Sequence, residues 1–157
     1  MYISSSTKST IISILFISII IYFSRKYTKI NVDTPWYNCI KPNITPPNYI
    51  FPIVWTILYV LLFIIFKKII DSKNISLIII FIINLLLNIL WTYMYFYKKN
   101  IENAFNIILL ICLSSFIILY KISKISDKIL YTPYTLWICF ATYLNYLSLN
   151  KINACIM

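Results

Sequence analysis

The stretch Pro35–Tyr59, PWYNCIKPNITPPNYIFPIVWTILY, holds five of the chain's six prolines: Pro35, Pro42, Pro46, Pro47 and Pro52. Each proline fixes φ and removes a backbone donor, so the part before Pro47 reads as a stiff loop rather than regular helix. Pro52 is tolerable near a helix start, where its missing N–H had no partner to lose. The loop carries two aromatics, Trp36 and Tyr37, and a cation, Lys41. The helix it feeds presents Trp55 and Tyr59 one turn apart on one face. A stiff loop above an apolar helix reads as a lid.

Working outward, the composition leaves one solvent for the rest of the chain. Of 157 residues, 61% are hydrophobic and only 11% charged, with a mean hydropathy of +0.84. A soluble domain needs about twice that charged share. Apolar runs of about twenty residues recur, each long enough to cross roughly 30 Å of hydrocarbon. In lipid such spans must be helices, because isolated strands leave backbone groups unpaired. The expectation is an all-α integral membrane bundle of five transmembrane helices forming a single domain over residues 1–157. Its spans fall at about 9–24, 49–66, 75–97, 103–120 and 129–149, with the proline-rich first loop as lid.

The net charge of +10 does not imply nucleic acid. The cations are scattered in ones to threes at span ends, whereas a phosphate-tracking surface gathers them on one face. They read as headgroup anchors. Seven fall on each side of the five-span arrangement, so the positive-inside rule assigns no orientation. The four cysteines, Cys39, Cys112, Cys139 and Cys155, form no CxxC pair and no metal spacing, and are expected to be free thiols acting as small hydrophobes. The chain has no histidine, which excludes His-ligated zinc, an axial His on haem and a Ser-His-Asp triad. Ser9 and Ser13 supply a small-xxx-small pair where the first helix must pack closely.

Polar residues inside spans are costly and turn toward the bundle interior. In the third span Asn84, Asn88, Trp91 and Tyr95 share a face. In the fifth, Tyr134, Trp137, Ala141, Asn145 and Ser148 do the same. Connectivity brings these stripes together with Trp55 beneath the proline loop. The result is a cavity walled by indole faces with a few amides for orientation. Trp137 lies about eight residues into its expected helix, roughly 12 Å deep, which is deeper than an interfacial aromatic belt.

The pattern WYxxxKPxxxPPxxxFPxVWTxLY resembles the signature of the TspO/MBR family, the translocator proteins or tryptophan-rich sensory proteins. Asn84–Trp91 with Phe96, and Pro133–Asn145, resemble its later blocks in the same order. The resemblance implies a multi-pass membrane protein that binds tetrapyrroles such as protoporphyrin or haem, and cholesterol, as translocator or sensor. Some bacterial relatives suggest an alternative, a light-dependent porphyrin-degrading enzyme. It implies ligand-binding roles for Trp36, Lys41 and Pro42 in the loop. In the cavity it implies such roles for Trp55, Tyr59, Asn88, Trp91, Trp137, Ala141, Asn145 and Tyr146. Tyr146 and Lys151 also fit a loose cholesterol-contact pattern running from Leu144. A cation such as Lys41 at the rim would meet a propionate. No catalytic or metal-binding residue is expected, and no obligatory cofactor. A homodimer is compatible with this reading, as is a mitochondrial outer or other intracellular membrane if the source is eukaryotic. The family often has Gln where Asn84 stands and an acidic residue where Asn106 stands.

Overall fold

The computed structural model describes residues 4–155. It contains six helices, α1 (Ser5–Asn31), α2 (Pro35–Ile40), α3 (Ile50–Asp71), α4 (Ile75–Thr92), α5 (Ile101–Lys121) and α6 (Ile125–Cys155), and no strand among the described residues. Four of them, α1, α3, α4 with its extension to Tyr97, and α5, are long and apolar enough to cross a membrane. The fifth long helix, α6, has 31 residues but carries Lys128, Asn145, Asn150 and Lys151 among its apolar positions.

Three features depart from the sequence reading. Helix α1 runs well past residue 24, because nothing breaks it until Thr34-Pro35; its cationic last turns stay helical. The proline stretch is not all loop. Pro35 occupies the first turn of α2, where its missing donor costs nothing, and Thr34 caps it by accepting from the Tyr37 amide at 3.4 Å. The cysteines are not all free: Cys39 of α2 and Cys155 of α6 form a disulfide, Cα–Cα 5.9 Å, across 116 residues of sequence. Only Cys112 and Cys139 remain thiols, with their sulfurs 3.6 Å apart between α5 and α6.

Packing follows from faces of small and apolar residues. Helix α1 buries Ser9, Ser13, Ile17, Ile20 and Ser24, so serines do the work of close approach in a chain without glycine. It packs on α3 and on α4 with its extension to Tyr97, while α4 packs on α5 and α5 on α6. The core is centred on Phe66 and Phe81, stacked at 5.0 Å, with Tyr131 6.0 Å from Phe81. The end holding the α1 N-terminus is clasped by polar contacts. Ser9 Oγ donates to Asp71 Oδ1 at 2.6 Å, Lys67 pairs with Asp71, and Lys68 pairs with Asp127.

At the opposite end, α4 continues into a π-helical turn, Tyr93–Tyr97. Its bond runs from the Lys98 amide to Tyr93 O at 2.9 Å. The wider turn lets neighbouring Tyr95 and Phe96 both bury, and π-turns of this kind often sit at functional sites. Tyr37 and Ile40 of α2 pack onto this pair in a second small core with Ile101 and Ala104.

The disulfide closes a long loop, so its loss should cost about 2–4 kcal/mol of unfolding free energy. Thermal unfolding in detergent should show Cys39→Ser below oxidised wild type and equal to wild type treated with a thiol reductant. Cys112→Ser should stay within about 1 kcal/mol of wild type. Equal stability of oxidised wild type and Cys39→Ser would refute the cross-link's role.

Candidate functional site

Between α2 with its following loop and the helices beneath lies a cavity of about 930 Å³. Helix α1 lines it with Ile17, Ile21, Ser24, Arg25, Thr28 and Lys29. The loop region adds Tyr37, Pro42, Thr45 and Asn48. Helix α3 contributes Phe51, Trp55 and Tyr59. Helix α4 and its π-turn supply Asn88, Trp91, Thr92 and Tyr95, and α6 supplies Ala141, Leu144 and Asn145. Toward the other end the cavity runs between Ile14 and Ser18 of α1 and Val60 and Phe63 of α3.

Two hydrogen bonds set the α4–α6 wall. Trp91 Nε1 donates to Asn145 Oδ1 at 2.8 Å, and Tyr95 OH shares a hydrogen with Ser148 Oγ at 2.8 Å. Asn145 Nδ2 in turn donates to the Ile101 carbonyl at 3.3 Å, which ties the wall to α5. The Trp91 ring is thereby held against Tyr95, centroids 5.7 Å apart. Across the cavity, Trp55 and Tyr59 lie 5.3 Å apart. Aromatic faces on both sides suit a flat apolar ligand.

Two asparagines one turn apart on α4 behave oppositely. Asn84 is fully paired: its Nδ2 donates to Ile111 O (2.9 Å) and Ser114 Oγ (2.8 Å), and its Oδ1 accepts from Tyr134 OH (2.6 Å). Asn88 lines the cavity at 1% exposure, yet neither its Oδ1 nor its Nδ2 has a protein partner. Ser24 Oγ and Thr45 Oγ1, also in the cavity wall, are buried and unpartnered. Buried polar groups left unpaired are expensive. Here they cluster in one cavity.

Of the residues singled out from sequence, Pro42, Trp55, Tyr59, Asn88, Trp91, Ala141 and Asn145 meet at this cavity. The others do not line it. Trp36 packs edge-on to Tyr95, centroids 6.3 Å apart, beneath the Lys99 ammonium. Trp137 is about twelve residues, or roughly 18 Å, into the longer α6, and stands edge-on to Phe51 at 5.7 Å. Tyr146 is 47% exposed and faces Phe105. Lys41 donates to Asn48 Oδ1 at 2.8 Å, and Asn48 Nδ2 donates to Asp33 Oδ1 at 2.9 Å. Lys151 donates to Lys41 O and Asn43 Oδ1, each at 3.0 Å. The two lysines hold the loop in place.

Sequence reasoning missed the α1 wall. Its signal was present: Ile17, Ile21, Ser24 and Thr28 follow spacings of four, three and four, the helical repeat found on α4 and α6. Tyr37 was seen as a loop aromatic, but its burial was not. Burial, and secondarily the Asp33 carboxylate, push its hydroxyl up to about 12.

Comparisons with known proteins point to one family. A family model described as the TspO/MBR family matches residues 11–149. The chain is 32% identical over 147 residues to the tryptophan-rich protein TspO of Archaeoglobus fulgidus, spanning 90% of this chain and 95% of that one. It is 28% identical over 121 residues to the protein of the same name from Chlorobaculum tepidum, 71% of this chain and 76% of that one. Over 119 residues it is 26% identical to the tryptophan-rich sensory protein of Cereibacter sphaeroides, 74% and 71% respectively.

The two asparagines should respond to the same substitution with opposite signs. Asn88→Leu removes an unpaired amide and should stabilise the ligand-free protein by about 1 kcal/mol or more. Asn84→Leu strands the buried Tyr134 hydroxyl and should cost about 1–3 kcal/mol. Denaturant unfolding in mixed micelles measures both; destabilisation by Asn88→Leu would mean that its amide is satisfied.

Proposed function

The chain belongs to the TspO/MBR family, and from that premise we propose that it binds a tetrapyrrole of the protoporphyrin or haem type, and sterol as a second ligand, as translocator or sensor. Its apolar helices and its family make it an integral membrane protein. Helix α6 is the fifth span: at 1.5 Å per residue its 31 residues reach about 46 Å, more than the hydrocarbon needs. Its polar positions Tyr134, Thr135, Asn145 and Ser148 are buried, and thus turned away from lipid. Helix α2 and the following proline loop are the lid.

The observation that carries the ligand reading is the Asn88 amide, buried and unpartnered on the wall of a 930 Å³ cavity. That volume is in the range of sites for sizeable organic ligands. Trp55, Tyr59, Trp91 and Tyr95 offer ring faces to a planar macrocycle, and Asn88, Ser24 and Thr45 offer polar atoms to its substituents. In a chain without histidine, recognition rests on the macrocycle, and metal-free protoporphyrin is the natural probe.

Protoporphyrin added to purified protein should quench tryptophan fluorescence, and Trp91→Ala should weaken binding by about 1–3 kcal/mol, or fivefold to 150-fold. Trp137→Phe, outside the cavity, should change affinity less than twofold. If wild type binds and Trp91→Ala keeps full affinity, the ligand lies elsewhere; absence of binding to wild type rejects the tetrapyrrole reading.

A further inference from the structure

The cavity has a charged edge that the ring faces and amides leave unexplained. Arg25 and Lys29, four residues apart on α1, both line it, and that spacing puts them on one face of the helix. Like charges so placed repel. Among the described residues neither donates a hydrogen bond to the protein, and the ion pairs present, Lys67–Asp71 and Lys68–Asp127, lie at the bundle's other end. Of the other cations at this end, Lys26 does not line the cavity and the remaining four are engaged. Lys41 and Lys151 hold side-chain and backbone oxygens, Lys98 covers the rings of Tyr93 and Tyr97, and Lys99 covers Trp36. The third charged group on the cavity edge, Asp33, accepts from the neutral Asn48 amide at 2.9 Å, so two cations face one carboxylate and the edge stays positive.

We propose that Arg25 and Lys29 form an anion-binding edge that takes the carboxylates of an otherwise apolar ligand. The inference deepens the tetrapyrrole reading and rests on it. The guanidinium fork matches a carboxylate in two parallel hydrogen bonds, and the ammonium one turn along adds a point charge. Below them, Ser24 Oγ and the Asn88 amide await polar substituents deeper in the cavity. An apolar body enters between the aromatic walls while its charged end stays at the edge, where both cations are exposed. The arrangement selects among flat ligands: a dicarboxylic porphyrin pairs both charges, whereas a neutral sterol or porphyrin ester pairs neither. The role of propionate partner thus falls to α1 rather than to Lys41, whose ammonium is held by Asn48.

Protoporphyrin, its dimethyl ester and cholesterol should be titrated against wild type and Arg25→Gln/Lys29→Gln in a non-ionic detergent. The double substitution should weaken protoporphyrin by about tenfold or more and leave the ester unchanged. Retained ester binding also certifies that the variant is folded. Arg25→Lys, which keeps the charge but not the fork, should fall between the two. Equal losses for acid and ester, or none for either, would overturn the anion edge while leaving the cavity reading standing. Failure of wild type to bind either porphyrin would overturn both. Added phosphatidylglycerol that displaces protoporphyrin from wild type but not from the variant would assign the two cations to a lipid headgroup and overturn the proposal.

Discussion

The indole hydrogen of Trp91 and the carboxamide of Asn145 form the bond on which the site depends. It joins α4 to α6 at 2.8 Å, and Asn145 passes the connection to the α5 backbone. Helices in lipid gain nothing from hiding apolar surface from one another, since the tails are equally apolar. Position is therefore set by close packing and by polar pairs. The Asn84 cluster with Ser114 and Tyr134 does this in mid-bundle, and Trp91–Asn145 and Tyr95–Ser148 do it beneath the loop. With those three contacts made, one face of the cavity is rigid. The serine face of α1 and its packing on α3 supply the other.

The loop over the cavity is held by different means. Its internal order comes from proline and from the Thr34 cap on α2. Its attachment comes from Tyr37 and Ile40 packed on Tyr95 and Phe96, from the Lys151 contacts, and from the Cys39–Cys155 bond. All of these reach α6 or the π-turn, elements that also carry cavity residues. The loop is thus tied to the α4–α6 wall, and the end of α1 joins the same assembly through Asn31 Nδ2, which donates to Phe96 O at 2.6 Å, and through the Asn48–Asp33 contact.

Much of this was legible in residue spacing. The stripes on α4 and α6 marked the inward faces, and connectivity alone located their meeting point under the proline loop. What was not legible has physical causes. Spacing says which face a residue occupies, not whether its hydrogen bonds are met, so Asn84 and Asn88 look alike in sequence and differ in the fold. It does not register a π-turn, which moves Phe96 inward beside Tyr95. Nor does it measure distance between remote segments. Cys39 and Cys155 seemed unrelated because 116 residues separate them, and Lys41 seemed free because Asn48 had no assigned place. Trp137 fell on the right stripe but one turn before Ala141, where its ring packs on Phe51 instead of lining the cavity.

The separation of the two bonded cysteines has a consequence for biosynthesis. At roughly 5–20 residues per second, Cys39 leaves the ribosome some 6 to 23 seconds before Cys155 follows it. During that interval its sulfur is an unpaired thiol beside a half-built bundle. α3, α4 and α5 are made first, and α6 must then bring Cys155 beside α2, before the two sulfurs can join. Closure of the cover is therefore a final maturation step that reports on everything upstream. A chain whose α6 failed to dock would keep Cys39 as a free thiol.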